Sequence, residues 1–419
     1  MRTFGPALIS WNVTARCGLR CPHCYLDASQ EGRPGELTTQ EGLALIGEIA
    51  ALNPQAMLVL SGGEPLLRPD ILDLARCATD RGLMVVVGTS GVLLDRDTVR
   101  RLRECGVAGV GVSLDFARPD EHDRFRGMPG AWRRTVEGLV ACRKEGLPFQ
   151  IQTTVTARNY RELKDLMDLA SGLGARVFNL FFLVCTGRGQ QMTDITPAQY
   201  EETLRWLAST GGSYRGMMVR ARCAPHFRRL AWELDPASPV IEENGSRCMA
   251  GTSYCRITPE GDVTPCPYME LKVGNVRDGG FTRIWREAAV LLSLRESVLE
   301  GRCGRCEFRE LCGGCRARSY ATTGNLLGED PWCSYQPGQA GRVPAAVAAG
   351  GEAPLTWVAE AEERLQRVPP FVRSVVRRKV EAHVRALGGS VVRPEHLEEV
   401  RRTGMAAGFG TRFGRSSGG

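Results

Sequence analysis

The sequence lacks any long apolar run. Its longest stretch without a charged residue, Ile49 to Gly63, is too short to cross a bilayer and is interrupted by polar residues and a proline. The N-terminus lacks the sustained apolar segment of a secretion signal, because its first apolar run leads directly into a cysteine-rich stretch. We therefore expect no membrane span and a cytoplasmic location.

The sequence also lacks an unusual proportion of apolar or charged residues. Hydrophobic residues make up 43% and charged residues 24% of the 419 residues, which is ordinary for a globular protein and excludes a disordered or fibrous chain. This length is enough for two or three domains with sizeable cores.

Cysteine is the residue that the sequence has in excess, with sixteen copies. In a large chain without a secretion signal, metal or redox chemistry explains cysteines better than disulfides do. Three of them cluster at Cys17, Cys21 and Cys24, and eight lie between Cys248 and Cys333. The remaining five are scattered, and we expect them to be small buried hydrophobic residues: Cys77, Cys105, Cys142, Cys185 and Cys223.

The first half of the chain alternates short β-branched runs with longer amphipathic stretches. Strands are predicted at 8–13, 56–60, 83–88, 107–113, 149–155 and 177–183. Helices are predicted near 39–51, 69–80, 95–104, 131–145, 160–172 and 197–209. Six strand–helix units in series predict an α/β fold with a parallel sheet, in the form of an open, partial (β/α)6 barrel. Active residues are then expected at the carboxyl ends of the strands.

The alternation stops after about residue 240, where Cys, Gly and Pro become dense. We predict a barrel domain at 1–235, a cysteine-rich domain at 240–338, a linker at 339–353, a small helical domain at 354–405 and a disordered tail at 406–419. Little periodic core is visible in the cysteine-rich domain, so bound metal would have to supply folding energy there.

The three clustered cysteines follow the first predicted strand. Three thiolates can hold a 4Fe-4S cluster and leave one iron open to a small molecule, whereas four cysteines would ordinarily close it. The alternatives are a zinc site in which His23 supplies the fourth ligand, or chance clustering.

Cys17, Cys21 and Cys24, with His23 in the aromatic place, resemble the signature of the radical S-adenosylmethionine (SAM) superfamily. The likeness continues at two further strand ends. Gly62, Gly63, Glu64 and Pro65 are similar to the segment that contacts the SAM amino group, and Ser113 and Asp115 match the residues that commonly bind its ribose.

The resemblance implies a partial barrel, a 4Fe-4S cluster and SAM as cofactors. It also implies a mechanism in which the reduced cluster cleaves SAM to methionine and a 5′-deoxyadenosyl radical, which abstracts hydrogen from an unactivated carbon.

The eight later cysteines match the ligand count of two complete 4Fe-4S clusters, although four of them could form a zinc ribbon. Their pattern resembles the SPASM extension of radical SAM enzymes. That resemblance gives Cys248, Cys255, Cys266 and Cys315 to a first auxiliary cluster. It gives Cys303, Cys306, Cys312 and Cys333 to a second. The two-residue spacing between Cys312 and Cys315 departs from the usual three, which leaves the allocation of Cys315 open.

The SPASM segment also differs from that of sulfatase-maturing relatives, because Pro267 and Tyr268 stand where those enzymes carry an aspartate base. The run from Cys312 to Cys333 instead resembles the radical SAM enzymes of heme d1 and siroheme-dependent heme biosynthesis. The resemblance implies a carboxylate-bearing tetrapyrrole as substrate and a reductant such as ferredoxin or flavodoxin. Candidate clamps for the carboxylates are Arg188, Arg316 and Arg318.

Residues 355–404 resemble the C-terminal domain of the protochlorophyllide reductase B subunit, a second hint of tetrapyrroles. From residue 354 onward the chain has twelve Lys and Arg against seven Asp and Glu, a net charge of +5, but no interleaved aromatic pattern. We therefore expect no nucleic-acid partner. Two other functions stay open at this point: a SPASM enzyme that modifies a ribosomally made peptide, and a non-enzymatic iron–sulfur electron carrier.

Overall fold

The computed structural model describes most of the barrel and cysteine-rich segments and parts of the C-terminal segment. The described residues are 5–184, 186–192, 195–238, 241, 247–339, 355–366, 368, 376–377, 380–381, 383–385, 387 and 389–406. Cys185, nearly all of the predicted linker at 339–353 and the tail beyond residue 406 lie outside them. None of the helices in these ranges is long and apolar enough to cross a membrane.

Seven parallel strands form the barrel sheet in chain order. They are β1 (Leu8–Thr14), β2 (Met57–Gly62), β3 (Met84–Thr89), β4 (Gly109–Ser113), β5 (Phe149–Val155), β6 (Val177–Phe182) and β7 (Met218–Arg222). The α/β fold with a parallel sheet is confirmed, and each of the six predicted strands lies within two residues of its observed limits. The structure adds β7, which pairs with β6 and which the sequence pattern did not predict.

Helices follow the strands and cover the outer face of the sheet. Those of the barrel are α1 (Thr39–Leu52), α2 (Ile71–Asp80), α3 (Arg96–Glu104), α4 (Pro119–Arg126), α5 (Ala131–Glu145), α6 (Leu163–Leu173), α7 (Pro197–Thr210) and α8 (His226–Leu234). Short 3-10 turns occupy Pro65–Leu67, Gly187–Gln191, Gly211–Ser213 and Val276–Asp278. Capping boxes begin α1 at Thr38 and α7 at Thr196, where each threonine hydroxyl accepts from the third helical N–H.

Successive side chains along each strand point alternately to the helix-facing side and to the inner face of the barrel sheet. Ile9, Trp11 and Val13 of β1 pack into the helix-facing core, whereas Asn12 and Thr14 lie on the inner face of the barrel. On β7, Val219 and Ala221 join the same core, which places Arg222 on the inner face. The barrel interior is therefore polar, as a site for a cofactor and a polar substrate requires.

The cysteine-rich segment extends the barrel sheet. Its strands are β8 (Tyr254–Ile257), β9 (Asp262–Thr264) and β10 (Gly274–Asn275). Strand β8 pairs in parallel with β1, and β9 and β10 follow antiparallel, so the sheet runs β10-β9-β8-β1 through to β7. The helices of this segment are α9 (Phe281–Glu287), α10 (Ala289–Glu296), α11 (Gly301–Arg305) and α12 (Arg316–Thr323).

The C-terminal segment forms a separate small core. A two-stranded parallel sheet of β11 (Thr356–Trp357) and β12 (Val391–Val392) packs with α13 (Ala359–Gln366) and α14 (Pro394–Ala406). Ala361, Val380, Val384 and Val392 form its buried apolar cluster, and Leu365 is buried as well. The helical character predicted for this segment is observed, with a small sheet in addition. The domain limits drawn from the sequence stay predictions.

Candidate active site and iron–sulfur centres

The loop after β1 brings Cys17, Cys21 and Cys24 together as free thiols. The Leu19 N–H donates to Cys17 Sγ at 3.4 Å, and Arg126 Nη1 donates to Cys21 Sγ at 3.6 Å. Burial raises the pKa of the Cys17 thiol to about 12, and it also raises the pKa of Cys21 against the opposing charge of Arg126. Bound iron would reverse this effect, because a coordinating thiol is deprotonated. Hydrogen bonds to the sulfurs are among the interactions that tune iron–sulfur clusters.

The two glycines at the end of β2, Gly62 and Gly63, lie directly against the start of the cysteine loop. A Cβ atom on Gly62 would lie 2.3 Å from the carbonyl oxygen of Thr14, and one on Gly63 would lie 2.5 Å from that of Arg16. Backbone hydrogen bonds from the N–H groups of Gly63 and Glu64 to the same two carbonyls, each 2.8 Å long, hold this approach. Only glycine fits at either position, so the segment predicted to contact SAM is also built to hold the cysteine loop in place.

Glu64 is buried and ties the end of β2 to the end of β3. Its carboxylate accepts from the Thr89 hydroxyl at 2.7 Å, from the Ser90 N–H at 2.9 Å and from the Ser90 hydroxyl at 2.5 Å. Burial raises its pKa, although each of these hydrogen bonds opposes that shift. Thr89 and Ser90 therefore have a positioning role, and the carboxylate fixes the loop between Gly62 and Pro65.

Asp115, which the resemblance assigns to the ribose of SAM, forms hydrogen bonds within the protein. It is fully buried, and its Oδ2 pairs with the Arg126 guanidinium while its Oδ1 accepts from the Thr154 N–H at 2.8 Å. Because Arg126 in turn donates to Cys21, this carboxylate holds a cation against the three-cysteine loop. Ser113, at the end of β4, is half-buried, and no hydrogen bond of its side chain to another described residue is observed.

His23 is stacked on Phe125, with the ring centroids 4.6 Å apart and the planes 9° from parallel. Burial lowers its pKa to about 4, so the imidazole is neutral. Its Nδ1 is buried without a partner in the described part of the chain. Within the described residues, no three His, Cys, Asp or Glu side chains converge closely enough to hold a single metal ion.

Four of the later cysteines line one cavity beside α8 and α11: Cys303, Cys306, Cys312 and Cys333. The Gly314 N–H donates to Cys312 Sγ at 3.5 Å, which resembles the contact at Cys17. Arg229 also lines this cavity, so a cation faces the thiols. This is the set of cysteines that the resemblance gives to the second auxiliary cluster.

The other set differs from the sequence-based allocation. Cys248, Cys266 and Cys315 share an apolar pocket, and the fourth thiol packed there is Cys223. Cys255 lies in β8 and packs into the helix-facing core of the barrel. Cys77, Cys105 and Cys142 also pack in or against that core, as expected of scattered cysteines. All fifteen described cysteines are free.

The three arginines expected as carboxylate clamps are engaged by the protein itself. Arg188 pairs with Asp27 and donates to the Cys21 carbonyl at 3.1 Å. Arg316 is buried and donates to three backbone carbonyls, and Arg318 is buried in an ion pair with Asp330. These contacts stabilise loops around the cysteines and occupy the guanidinium groups that were expected to bind substrate carboxylates.

Two other arginines, which the sequence analysis did not single out, lie on the inner face of the barrel. Arg222, the last residue of β7, donates to Asn179 Oδ1 at 3.3 Å, and Arg256 of β8 donates to Asn12 Oδ1 at 2.6 Å. Burial lowers the pKa of Arg222, and the neighbouring thiol of Cys223 opposes that shift. Neither arginine forms an ion pair with a carboxylate among the described residues, so both can receive an anionic ligand. The polar alternation of β7 and β8 is the signal that could have found them.

Comparison with known families agrees with this geometry. The model of the radical SAM superfamily matches residues 11–170, and that of the SPASM iron–sulfur cluster-binding domain matches residues 248–316. A third model, described as the 57 kD subunit of proto-chlorophyllide reductase, matches residues 357–401.

The chain is 42% identical over 346 residues to the AdoMet-dependent heme synthase of Methanosarcina barkeri, covering 80% of this chain and 99% of that protein. It is 31% identical to the pre-heme d1 synthase of Dinoroseobacter shibae, covering 80% and 87%. Its fold resembles that of Streptococcus suis SuiB bound to S-adenosylmethionine, with a TM-score of 0.64, 16% identity and coverage of 79% and 77%. The chain therefore belongs to the radical SAM superfamily and is a radical SAM enzyme with a SPASM domain, whose cofactors are 4Fe-4S clusters and S-adenosylmethionine.

Proposed function

We propose that this enzyme modifies the carboxylate side chains of a siroheme-derived tetrapyrrole, removing acetate or propionate carbons. The observation that carries the proposal is the 42% identity to an AdoMet-dependent heme synthase over 99% of that protein's length. The similarity to a pre-heme d1 synthase and the match of the C-terminal segment to a proto-chlorophyllide reductase subunit support the same substrate class.

Three residues of the first loop, Cys17, Cys21 and Cys24, would hold the cluster that binds SAM. Together these cofactors supply a 5′-deoxyadenosyl radical that abstracts hydrogen from an unactivated carbon. The protein's own part is to bind and orient. Glu64 fixes the glycine segment against the cysteine loop, and Asp115 fixes Arg126 against Cys21. Ser113, whose side chain has no hydrogen bond to another described residue, is left to meet the ribose.

Arg222 and Arg256 are the residues that we assign to the substrate carboxylates. Both lie on the inner face of the barrel without a carboxylate partner among the described residues, and a guanidinium is costly to bury unless an anion can reach it. A guanidinium binds a carboxylate through paired hydrogen bonds, which suits the flexible acid arms of a tetrapyrrole. Arg222 donates to Asn179, and Asn179 donates to Gln150; this chain of hydrogen bonds keeps the Arg222 guanidinium in one orientation.

The proposal includes an external one-electron reductant such as ferredoxin or flavodoxin, because reductive cleavage of SAM consumes an electron. It also includes a cytoplasmic location, since free thiols in such number are stable only in a reducing compartment. The basic C-terminal domain is then available for an acidic redox partner or an acidic substrate.

Turnover by the reconstituted holoenzyme tests the proposal. The enzyme is incubated without oxygen with SAM, a low-potential reductant and either iron-coproporphyrin or didecarboxysiroheme. We expect the mass of one of the two to fall by the lost carboxylate carbons, with 5′-deoxyadenosine formed in step. Cys21→Ala is the matched control, because it should abolish both products.

A different result identifies the alternative. If neither tetrapyrrole changes mass while SAM is still cleaved and a peptide encoded beside the enzyme is modified, the substrate is a ribosomally made peptide. Failure to cleave SAM at all with a fully loaded cluster would contradict the radical mechanism itself.

A further inference from the structure

Cys223 lies outside every segment that the sequence marks for iron. It follows β7, beyond the radical SAM match at 11–170 and before the SPASM match at 248–316. By spacing alone it is an isolated cysteine. Its surroundings in the fold show otherwise.

The side chain of Cys223 packs in the same apolar pocket as Cys248, Cys266 and Cys315. Four cysteines that lie far apart in the sequence are thus brought into one pocket, which is what the ligands of a single cluster require.

The backbone at Cys223 is held in a special conformation. Its φ of 56° lies in the left-handed region, which non-glycine residues adopt rarely and mostly at functional sites. Its carbonyl accepts from Arg318 Nη2 at 2.8 Å, and Arg318 pairs with Asp330, which also accepts from the Cys315 N–H at 2.7 Å. A single buried ion pair therefore fixes Cys223 relative to Cys315.

Cys255 faces the opposite way. In β8 it pairs with Ile9 of β1, and its neighbour Ile257 pairs with Trp11, so its side chain lies on the helix-facing side of the sheet. It packs there among the apolar residues of the barrel core, away from the pocket that holds Cys223. A ligand role for Cys255 would require the strand to shift by one residue, which would move every side chain of β8 to the other face.

We propose that Cys223 is the fourth ligand of the first auxiliary cluster, together with Cys248, Cys266 and Cys315, and that Cys255 is a packing residue. The inference rests on the presence of an auxiliary cluster in the SPASM domain. It does not depend on the tetrapyrrole as substrate. One ligand then comes from the barrel and three from the cysteine-rich domain.

Iron and sulfide counts with electron paramagnetic resonance (EPR) of the reduced, reconstituted full chain test this assignment. The parent is expected to hold about twelve irons in three 4Fe-4S clusters. Cys223→Ala should lose about four irons, or keep them in a cluster with a changed EPR signal. Cys255→Ala, the matched control, removes a thiol of the same size and should keep both the iron content and the spectrum of the parent. Cys248→Ala should behave like Cys223→Ala.

Two further measurements keep the result interpretable. The EPR change caused by SAM binding at the Cys17–Cys24 cluster reports whether the barrel of each variant is intact. Cys223→Ser preserves the side-chain volume and should shift the auxiliary signal through an oxygen ligand. If Cys223→Ala retains about twelve irons with an unaltered spectrum, or if only Cys255→Ala loses a cluster, the assignment is overturned.

Discussion

Asp330 is the residue whose replacement should most weaken the cysteine-rich domain. It is fully buried, and its carboxylate accepts from Arg318 Nη1 at 2.8 Å, from the Cys315 N–H at 2.7 Å and from the Trp332 N–H at 3.1 Å. Burial raises its pKa, but the positive charge of Arg318, the nearby His226 and the hydrogen bonds from the Cys315 and Trp332 N–H groups together lower it overall, so the group is ionised. Asp330 thus joins an ion pair to the backbone of two cysteine-bearing segments.

Asp330→Asn keeps the shape of the side chain and removes its charge. Breaking a buried ion pair from one side costs about 3–5 kcal/mol, because the partner charge is left buried and alone. At roughly 2–4 °C per kcal/mol for a domain of 150–250 residues, the unfolding midpoint should fall by about 6–20 °C. The assay is thermal unfolding of the oxygen-free holoenzyme followed by far-ultraviolet circular dichroism at a fixed scan rate.

The neighbouring residue supplies the matched control. Glu329 pairs with Arg302 at 3.0 Å, but its side chain is 41% exposed, and such surface pairs contribute about 0–1 kcal/mol. Glu329→Gln should therefore shift the midpoint by a few degrees at most. The double variant Arg318→Met with Asp330→Asn should lose less than Asp330→Asn alone, since no orphan charge remains. Equal midpoints for Asp330→Asn and Glu329→Gln would refute this reasoning.

Three further changes test the barrel site. Gly63→Ala places a Cβ atom 2.5 Å from the Arg16 carbonyl oxygen and should prevent assembly of the SAM-binding cluster, so that the iron content falls by about four per chain. Gly47→Ala is the control, because its Cβ would have no atom within 4 Å, and this variant should keep the iron content of the parent. Arg126→Gln removes the cation that donates to Cys21, so the SAM-binding cluster should become harder to reduce; an EPR-monitored redox titration would contradict this if the midpoint potential were unchanged. Arg222→Gln should raise the KM for a carboxylate-bearing tetrapyrrole about tenfold, because it removes a charged hydrogen bond worth about 1.5 kcal/mol. The rate of SAM cleavage without substrate should stay at the parental value. An unchanged KM would count against Arg222 as a ligand of the substrate carboxylate.

The barrel was predictable because the spacing of apolar residues and the length of each segment determine its strands and helices, whatever residues lie elsewhere in the chain. Strand β5 and helix α5 have the limits that alternation and amphipathicity predict. Strand β7 was missed because Met218–Arg222 carries two arginines on its inner face, which removes the apolar signal of a parallel strand. Arginine is tolerated in this strand because these two positions face the polar interior of the barrel.

The candidate site was predictable only where its residues are near in sequence. The three-cysteine loop and the segment from Gly62 to Pro65 are contiguous motifs. The pairing of Asp115 with Arg126 and that of Arg318 with Asp330 depend on tertiary contact. Neither pair is visible in the sequence, and Arg318 was expected to bind a substrate carboxylate instead. Cys255 lies closer in sequence to Cys248 than Cys223 does, but the pleat of β8 turns its side chain towards the helices.

The position of Cys223 shows where the two edges of the open barrel sheet come together. Strand β7 is one edge of the ten-stranded sheet, and β9 lies next to the other edge. Cys223 follows β7 and Cys266 follows β9, yet their thiols share one pocket, so the two margins of the curled sheet meet there. Backbone pairing does not join these margins in the described residues, so ligands shared across the gap would have to do so. Loss of the first auxiliary cluster should therefore loosen the barrel as well as the cysteine-rich domain, because one of its four ligands belongs to the barrel.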